Sequence, residues 1–321
     1  MLLSCGDALI DFLPGTANDG REALLPAVGG SCLNVAIGLA RLGAAAGFVG
    51  GVSTDLFGRM IEDHARASGV DLRYTERSAR PTTLAFVRTV GNEAHYAFYD
   101  ENTASRCWIH RPGSIPRRSV EALHVGSTTL VEESTAAQAL ALIEEARPAA
   151  TISFDPNCRP NLVRDKVDYR RRMDRFAAVA DIVRLSDSDF AYLHDNDDFA
   201  RHADELFARG VGLLVVTRGL RGAQAWHPHA GTISVPTPSV DVVDTIGAGD
   251  SFQAGLLFAL RALGGLQRDD LRRLTGSELE RALAFAARCA AITCTRRGAD
   301  PPRASEVDTS SLQGRPLANA R

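Results

Sequence analysis

Two glycines and a carboxylate lie where a loop runs into an apolar segment, in the order Gly247, Ala248, Gly249 and Asp250. The apolar periodicity over residues 252–263 predicts a helix, so the glycines fall at its N-terminus. Because glycine and alanine keep large side chains away, successive backbone N–H groups can point into one small space. Together with the positive end of the helix dipole, they predict a binding site for an anion such as phosphate.

Asp250 stands at the mouth of this predicted anion site, and its position fits two roles. The carboxylate can cap the N-terminus of the helix, a role that Asp often takes. It can also act as a catalytic base beside a bound phosphate. The residues of the loop leave both roles open.

The stretch 244–250, Asp-Thr-Ile-Gly-Ala-Gly-Asp, resembles the C-terminal signature of the ribokinase-like (PfkB) carbohydrate kinases. In that family the last Asp takes the proton of the acceptor hydroxyl, and the amides of the loop hold charge on the transferred phosphoryl group. The resemblance therefore implies that Asp250 is the catalytic base and that Gly247, Ala248 and Gly249 stabilise the phosphoryl group.

A second motif opens a predicted helix near the start of the chain, with Gly29 and Gly30 followed by Asn34. It resembles the N-terminal signature of the same family, in which the glycines let the backbone approach the sugar and the Asn amide hydrogen-bonds its hydroxyls. Asp11 stands where family members carry a sugar-binding Asp. Without the family, the same residues would be a glycine pair at a cap, a helix Asn and an Asp at the end of a strand.

Asp155, Asn157 and Arg159 follow a predicted buried strand at alternate positions. They resemble the segment that sugar and keto-acid kinases place under the active site. The resemblance implies that Arg159 reaches phosphoryl oxygens or substrate, for which a guanidinium offers two parallel hydrogen bonds. The alternative is a turn in which Asp155 and Arg159 pair with each other.

Ser186 and Asp189 take the place of the Asn and Glu of the family's Asn-x-x-Glu motif. The resemblance implies a nucleotide-side role for Ser186 and a magnesium role for Asp189, through water, since the carboxylate is one methylene shorter and Mg²⁺ keeps several waters. The alternative is that Ser186 caps a helix over residues 187–194.

Thr217, Gly219 and Gly222 resemble the nucleotide loop of the family, in which a Thr hydroxyl and glycine amides meet the ATP phosphates. The segment 293–300 resembles the loop that, with the region of Asp244, offers backbone carbonyls to a monovalent cation in many relatives. The predicted cation residues, acting mostly through the backbone, are Asp244, Ile246, Thr293, Arg296 and Gly298.

Predicted strands and helices alternate along most of the chain, which indicates a parallel sheet with crossover helices. The predicted strands span 2–10, 47–52, 123–126, 151–155, 182–186 and 213–217. The predicted helices span 29–42, 55–68, 133–146, 168–180, 197–209 and 252–263. Polar residues and glycines follow the strand ends, where open α/β sheets bind ligands.

The segments 82–89 and 93–99 break this alternation and predict a hairpin around Val90-Gly91-Asn92. The resemblance implies an α/β fold of the ribokinase-like type, a three-layer sandwich with a central, mostly parallel sheet and a small β lid over the sugar. We predict a main domain of residues 1–11, 28–80 and 111–321, and a lid of residues 12–27 and 81–110.

The composition of the chain gives no sign of a nucleic-acid or membrane partner. The chain has 321 residues, 45% of them hydrophobic, and a formal net charge of −3, which gives no electrostatic footprint for nucleic acid or an acidic membrane. No apolar run approaches the ~20 residues of a membrane span. The six cysteines show no metal spacing. Together with a start that lacks basic residues, they predict a cytoplasmic protein with reduced thiols.

These features predict an ATP-dependent sugar kinase that uses Mg²⁺, with K⁺ dependence left open. Another PfkB sugar or nucleoside kinase remains an alternative, as does a non-catalytic sugar or nucleotide sensor on the same fold. A dinucleotide-binding oxidoreductase is excluded, because no Gly-x-Gly-x-x-Gly lies between the first strand and the first helix.

The substrate prediction depends on Tyr99 and Asp100. Fructokinases and 2-keto-3-deoxygluconate kinases fit the motifs best, but the keto-acid kinases carry an Arg after the lid-strand Tyr, where this chain has Asp100. A carboxylate there would repel a keto acid, whereas Asp11, Asn34 and Asp100 could accept the hydroxyls of fructose. The runs 6–12 and 99–104 also look like those of bacterial fructokinases. In the alternative, Asp100 faces solvent.

The predicted lid hairpin carries apolar residues and an unpaired strand edge that need a cover. We therefore predict a homodimer in which two lids pair across a two-fold axis. The apolar residues in question are Leu84, Phe86, Phe98 and Tyr99.

Overall fold

The computed structural model describes residues 1–90, 93–195 and 198–312, so the predicted turn residues Gly91 and Asn92 lie outside the described residues. The strands are β1 (Leu2–Cys5), β2 (Leu9–Thr16), β3 (Glu22–Gly29), β4 (Ala46–Ser53), β5 (Thr75–Ser78), β6 (Thr83–Val90), β7 (Glu93–Tyr99), β8 (Ala122–Gly126), β9 (Thr151–Asp155), β10 (Ile182–Ser186), β11 (Leu213–Thr217), β12 (Ala223–His227) and β13 (Gly231–Val235). The helices are α1 (Ser31–Arg41), α2 (Leu56–Ala67), α3 (Glu133–Ala146), α4 (Lys166–Ala177), α5 (Asp187–His194), α6 (Phe199–Ala208), α7 (Ala248–Ala262), α8 (Arg268–Leu271) and α9 (Gly276–Cys294).

The large sheet has nine strands in the order β13-β12-β11-β10-β9-β8-β1-β4-β5. Strands β11 to β5 of that order run parallel, and β12 and β13 are antiparallel at one edge. Apart from the polar edge strand β5, the parallel strands are short, mostly apolar and buried on both faces, as expected for strands covered by helices on either side. Their carboxyl ends therefore meet along one edge of the sheet, where the predicted motifs lie.

Helices cover the sheet on both faces and form three layers with it. One face packs against α3, α4, α5 and α6 through side chains such as Leu142, Phe176 and Leu206. The opposite face packs against α1, α7 and α9 through side chains such as Leu39 and Leu257. Because successive strand residues point to opposite faces, neighbours such as Leu2 and Leu3 enter different cores. This packing fixes α7, and with it the glycine loop, over the middle of the sheet.

Four strands form a separate small sheet in the order β3-β2-β6-β7, which we call the lid sheet. The predicted strand over residues 2–10 was wrong in its extent, because the chain leaves the large sheet at Gly6 and enters the lid sheet at Leu9. The segment 12–27, which we predicted as part of the lid, supplies most of β2 and β3. Phe12 and Phe86 stack across the lid sheet with ring centroids 4.7 Å apart, which joins the first and second halves of the sheet.

The helix after the glycine loop begins earlier than its apolar pattern indicated. Gly247 is the N-cap of α7, so Ala248, Gly249 and Asp250 already belong to the first turn. Strands β12 and β13 and helix α9 were not among the predicted elements. In the described part of the chain, no helix combines the length and the apolar character that crossing a membrane requires.

Candidate active site

Two cavities open at the carboxyl edge of the large sheet and meet at the N-terminus of α7. Thr245 and Gly249 line both of them. The first cavity, about 210 Å³, is called the polar cavity; it is lined by Asp7, Leu9, Asp11, Gly30, Ser31, Asn34, Phe98, Ser127, Thr128, Asn157, Arg159, Thr245, Ile246, Gly247, Gly249 and Asp250. The second, about 500 Å³, is called the apolar cavity; its walls include Leu220, Val240, Val242, Phe252, Ala287, Ala290 and Ala291.

Asp250 is a buried carboxylate that faces the polar cavity. Its Oδ1 accepts a hydrogen bond from Ser31 Oγ at 2.6 Å, and its Oδ2 accepts one from Asn34 Nδ2 at 2.9 Å. Burial raises the pKa of Asp250, while the bonds from Ser31 and Asn34 and the charge of Arg159 lower it in part. The cap of α7 is Gly247 and no side chain caps that helix, so Asp250 reaches across to α1 and is free of the capping role.

The glycine loop is held in a conformation that only glycine adopts easily. Gly247 has φ +75°, and a Cβ on it would lie 2.6 Å from Ala299 Cβ. The loop therefore packs directly on the segment that follows α9. In the first turn of α7, Ala248 N donates to the carbonyl of Thr245 at 3.2 Å. The other N–H groups of this turn have no intrahelical partners, and together with the helix dipole they favour an anion between the two cavities.

Asp11 and the glycine pair lie on the lid side of the polar cavity. A Cβ on Gly29 would stand 2.1 Å from Asp11 Oδ2, so the glycine makes room for the carboxylate. Burial is the main cause that raises the pKa of Asp11 to about 7, against the opposing charge of Arg159. Gly30, with Asp11 and Asn34, lines the cavity, so the structure brings the predicted sugar-binding residues together apart from the lid residues treated below.

Arg159 reaches the polar cavity, and it does not pair with Asp155. Its Nη1 donates to Asn157 Oδ1 at 2.6 Å and to two backbone carbonyls, those of Asn157 and Cys158, at 3.0 Å. Asp155 forms a buried ion pair with Arg184 instead, at 2.5 Å. Within the described residues, Arg159 has no carboxylate at ion-pair distance, so its charge is available to an anion in the cavity.

Arg184 is a site residue that the sequence motifs missed. Its guanidinium donates to Asp155 at 2.5 Å and to Thr217 Oγ1 at 2.6 Å, and it lines the apolar cavity. Both Nη atoms lie 3.1 Å from the point where a Cβ would stand on Gly249. A charged residue inside the apolar run of β10 was the available signal, because a buried Arg requires partners.

Asp7 and Ser31 were also missed as site residues. Asp7 is buried and accepts hydrogen bonds from Cys32 N, Ser127 Oγ and Thr128 Oγ1, each at 3.0 Å. It thereby ties the start of α1 to the end of β8. Ser31 lies in the first turn of α1 and contacts Asp250. Neither residue was given a role by the motifs, although Asp7 lies in the run 6–12 and Ser31 lies between Gly30 and Asn34.

The predicted nucleotide loop lines the apolar cavity. Thr217, Gly219 and Gly222 line one wall, and α7 and α9 supply the opposite wall. Small side chains of α9, such as Ala287 and Ala291, leave a broad slot between the helices and the loop. Such a slot suits a flat, apolar group, with polar contacts confined to its inner end at Arg184 and Gly249.

Residues 5–306 match the model of the pfkB family carbohydrate kinases. The chain belongs to that family. A fructokinase of Rhizobium leguminosarum bv. trifolii is 38% identical over 264 residues, covering 81% of this chain and 80% of the relative. The structure of a fructokinase with bound ATP from Xylella fastidiosa is 29% identical, covers 97% of this chain and 98% of that chain, and superposes with a TM-score of 0.86.

A second structure has a sugar and an ion bound. It is a fructokinase double mutant from Vibrio cholerae O395 in a form with fructose, ADP and potassium ion bound; it is 25% identical, with a TM-score of 0.79 and coverage of 98% of this chain and 95% of that one. The predicted family and the ribokinase-like fold are thus confirmed, and the protein is a carbohydrate kinase.

The predicted role of the lid residues Tyr99 and Asp100 requires a correction. Asp100 is paired with Arg106, whose Nε lies 2.8 Å from Asp100 Oδ2, and Arg106 also donates to the carbonyl of Thr128. Tyr99 is 65% exposed, and neither residue is among those that line the polar cavity. The structure therefore does not place these two residues at the cavity as predicted, because Asp100 is held by Arg106. From β7, Phe98 lines the cavity, as Leu9 and Asp11 do from β2.

Ser186 and Asp189 form a capping box at the start of α5. Ser186 Oγ accepts from the N–H of Asp189, and Asp189 Oδ2 accepts from the N–H and the hydroxyl of Ser186. Asp189 Oδ1 accepts from the N–H of Cys158 at 2.8 Å. The capping alternative thus describes their contacts, and neither residue is among those lining the two cavities.

The described residues do not form a protein cage for Mg²⁺. They contain no cluster of three or more His, Cys, Asp or Glu that could hold a metal ion. Asp189 accepts three hydrogen bonds, and Asp155 and Asp187 are paired with Arg184 and Arg221. A magnesium ion would therefore fit as a companion of bound phosphates and waters, and poorly as a ligand of these side chains.

The two segments of the predicted monovalent-cation site do lie together. Asp244 Oδ2 accepts from Gly298 N at 2.8 Å and its Oδ1 from Ile246 N at 3.1 Å. The side chain of Thr293 contacts Ser251 and the Cys289 carbonyl inside the core. The remaining member, Arg296, pairs with Asp300 and Glu306.

Proposed function

We propose that this kinase transfers the γ-phosphoryl group of ATP to a primary hydroxyl of a ketose, with fructose as the acceptor. The observation that carries the proposal is the position of Asp250, a buried carboxylate of the polar cavity that directly follows Gly249, which lines both cavities. A sugar fits the first cavity and a nucleotide the second. The fructokinase relatives, one with bound ATP and one with fructose and ADP, support the same assignment.

In this mechanism Asp250 accepts the proton of the attacking hydroxyl, for which general-base help typically gives about 10²–10⁴-fold. The amides of Gly247, Ala248 and Gly249, at the N-terminus of α7, receive the phosphoryl charge. Arg159 approaches from the polar cavity, and its guanidinium has no ion-pair partner among the described residues. Positioning and electrostatic stabilisation account for most of the rate acceleration in phosphoryl transfer.

Bound ions belong to the proposal as well. Mg²⁺ would neutralise charge on the phosphates, and Asp189 would act on it through water, since its carboxylate is engaged in the capping box. A monovalent cation such as K⁺ would lie between the Asp244 segment and residues 293–300, which adjoin in this structure. The relative with a bound potassium ion supports the inclusion of such a cation. The predicted cytoplasmic location stays a prediction.

The preference for a neutral ketose now rests on the charges of the polar cavity. Its walls carry the carboxylates Asp7, Asp11 and Asp250 against a single guanidinium, that of Arg159. Several carboxylates in one water-poor site oppose a further carboxylate on the substrate. Asp100 plays no part, because Arg106 neutralises it. Fructose is therefore favoured over 2-keto-3-deoxygluconate.

A coupled assay of ADP release, run on a panel of sugars, keto acids and nucleosides with ATP and Mg²⁺, tests the proposal. We expect kcat/KM for fructose to exceed that for 2-keto-3-deoxygluconate by at least about tenfold, which corresponds to ~1.4 kcal/mol. An equal or reversed preference would reject fructose as the acceptor. ATP and sugar binding without turnover of any member would instead support a sensor.

We also propose that the kinase forms a two-fold dimer through the lid sheet. Strands β3 and β7 are its edges, and the lid exposes Leu24 at 46%, Leu25 at 45% and Tyr99 at 65%. A second copy would cover these side chains and an unpaired edge. Light scattering should show a dimer at micromolar concentration that a Leu24→Glu, Leu25→Glu variant lacks. A wild-type protein that is monomeric there would argue against the lid interface.

A further inference from the structure

Four residues from three separate segments form one continuous line of hydrogen bonds that ends on Asp250. Arg159 Nη1 donates to Asn157 Oδ1 at 2.6 Å. Asn157 Nδ2 donates to Ser31 Oγ at 2.8 Å, and Ser31 Oγ donates to Asp250 Oδ1 at 2.6 Å. Ser31 is buried, and 219 positions separate it from Asp250 in the chain.

The direction of this line is fixed at each step by what each group can donate or accept. A guanidinium has no acceptor, so the atom of Asn157 that faces Arg159 must be the amide oxygen. The amide nitrogen then faces Ser31 and can only donate to it. Because the Ser31 oxygen accepts there, its single proton is directed to Asp250, and an ionised carboxylate is an acceptor only. Each bond therefore favours the charged form of Asp250.

The backbone of Asn157 supports the same arrangement. Its φ of +37° lies in the left-handed region, which is uncommon for residues other than glycine. Asn157 N also donates to Asp155 Oδ1 at 2.9 Å, which closes a turn at the end of β9. The turn aims the amide of Asn157 toward α1 and away from the solvent side of the strand end.

We propose that Ser31 is a positioning residue for the catalytic base, and that the Arg159–Asn157–Ser31 hydrogen bonds form a one-way series of donors that keeps Asp250 ionised and oriented toward the acceptor hydroxyl. This role rests on the proposed function, in which Asp250 is the base. Asn34 supplies the second donor, to Oδ2, from the same helix as Ser31. The two donors leave the remaining lone pairs of the carboxylate for the substrate.

Burial makes such support necessary. It raises the pKa of Asp250, and the donors and Arg159 oppose that rise. Charged and titratable groups approach Asp250 from β9 and the turn after it, from β10, from α1, from the segment between β1 and β2, and from β2. Those groups are Asp7, Asp11, Cys32, Asp155, Arg159 and Arg184.

The pH dependence of kcat/KM for the sugar tests this role in Ser31→Ala. Loss of one donor to the carboxylate should move the midpoint of the acid limb up by about one pH unit, with the rate largely recovered above it. Asn157→Asp should move the limb in the same direction, because a carboxylate at 157 cannot donate and competes for the Ser31 proton. It serves as the second variant should Ser31→Ala fold poorly.

Thr128→Val is the matched control. Thr128 donates to a carboxylate of the same cavity, Asp7, and is nearly isosteric with valine. Whatever its effect on rate, its acid limb should stay at the wild-type midpoint. If Ser31→Ala and Asn157→Asp also keep that midpoint and lower the rate evenly at every pH, their role is structural and the proposal is overturned.

A double variant separates this proposal from the proposed function. If Asp250→Asn retains only a small residual rate, adding Ser31→Ala should not lower that rate further, because the serine acts through the base. A further loss of about tenfold would show that Ser31 acts elsewhere. Full activity of Asp250→Asn alone would reject the base assignment itself, whatever the serine does.

Discussion

The two cavities that meet at the N-terminus of α7 are built in opposite ways. The polar cavity is small, and its functional side chains are held by one another, as Asp250 is by Ser31 and Asn34. The apolar cavity is more than twice as large, about 500 Å³ against about 210 Å³, and its walls are mainly small or aliphatic side chains. Hydrogen bonds define the first and shape defines the second.

This difference indicates how each substrate is selected. A hydroxyl acceptor must be placed within hydrogen-bond distance of the base, and displacement by even 1 Å is costly in a transfer reaction. Fixed donors and acceptors achieve that placement. A flat apolar group binds through area, which tolerates small changes in the wall. Substitutions in the polar cavity and in the apolar cavity should therefore change different kinetic constants.

The largest effect is expected for Asp250→Asn on the polar side. The change removes proton acceptance and keeps the shape, so kcat should fall by about 10²–10⁴-fold. The dissociation constant of ATP, measured by calorimetry, should stay within about threefold, because the apolar cavity is untouched. A variant that phosphorylates sugar at nearly the wild-type rate would contradict the division between the cavities and the role of Asp250.

A smaller effect is expected for Ala290→Phe on the apolar side. Ala290 lines the cavity from α9, and the larger ring would fill part of the slot. The KM for ATP should rise by about tenfold, with the KM for the sugar and kcat at saturating ATP within about twofold. Ala290→Ser changes the volume little and is the control. A loss in sugar KM instead of ATP KM would show that the cavities are assigned the wrong way round.

The smallest expected effect is a pH dependence of sugar affinity that arises from Asp11. Its pKa is about 7, so the carboxyl is mostly protonated below that pH and ionised above it. An ionised carboxylate accepts stronger hydrogen bonds from hydroxyls, and sugar affinity should therefore improve about threefold between about pH 6 and about pH 8. Calorimetry of sugar binding without nucleotide measures this directly. Asp11→Asn should remove the dependence, while ATP affinity should not follow the same curve in either protein.

Much of the fold follows from local pattern. The boundaries of β9, β10, β11 and α3 were predicted to the residue, because short apolar runs ended by polar residues mark buried strands and a 3.6-residue period marks a helix. The lid was harder, since β2 and β3 contain Pro14 and Pro26, which local rules assign to turns. Their pairing along Leu9–Gly29 overrides that preference.

The sequence by itself determined which segments reach the site. Most predicted motifs follow a strand or begin a helix, and parallel strands bring their carboxyl ends to one edge, so Asn34, Arg159 and Asp250 had to lie near one another. Asp11 is different, because it reaches the site from β2 of the lid sheet. The glycine loop also followed from residue type, because only small residues leave backbone amides open to an anion.

Tertiary structure decided which side chain partners which. Asp155 could pair with Arg159 or with Arg184, and only the register of β9 against β10 selects Arg184. Asp100 could face the sugar or Arg106, and the path of the chain after β7 selects Arg106. Ser31 meets Asp250 because α1 packs on α7. Hydrogen bonds act over about 3 Å, a precision that a sequence pattern, which locates whole elements, does not carry.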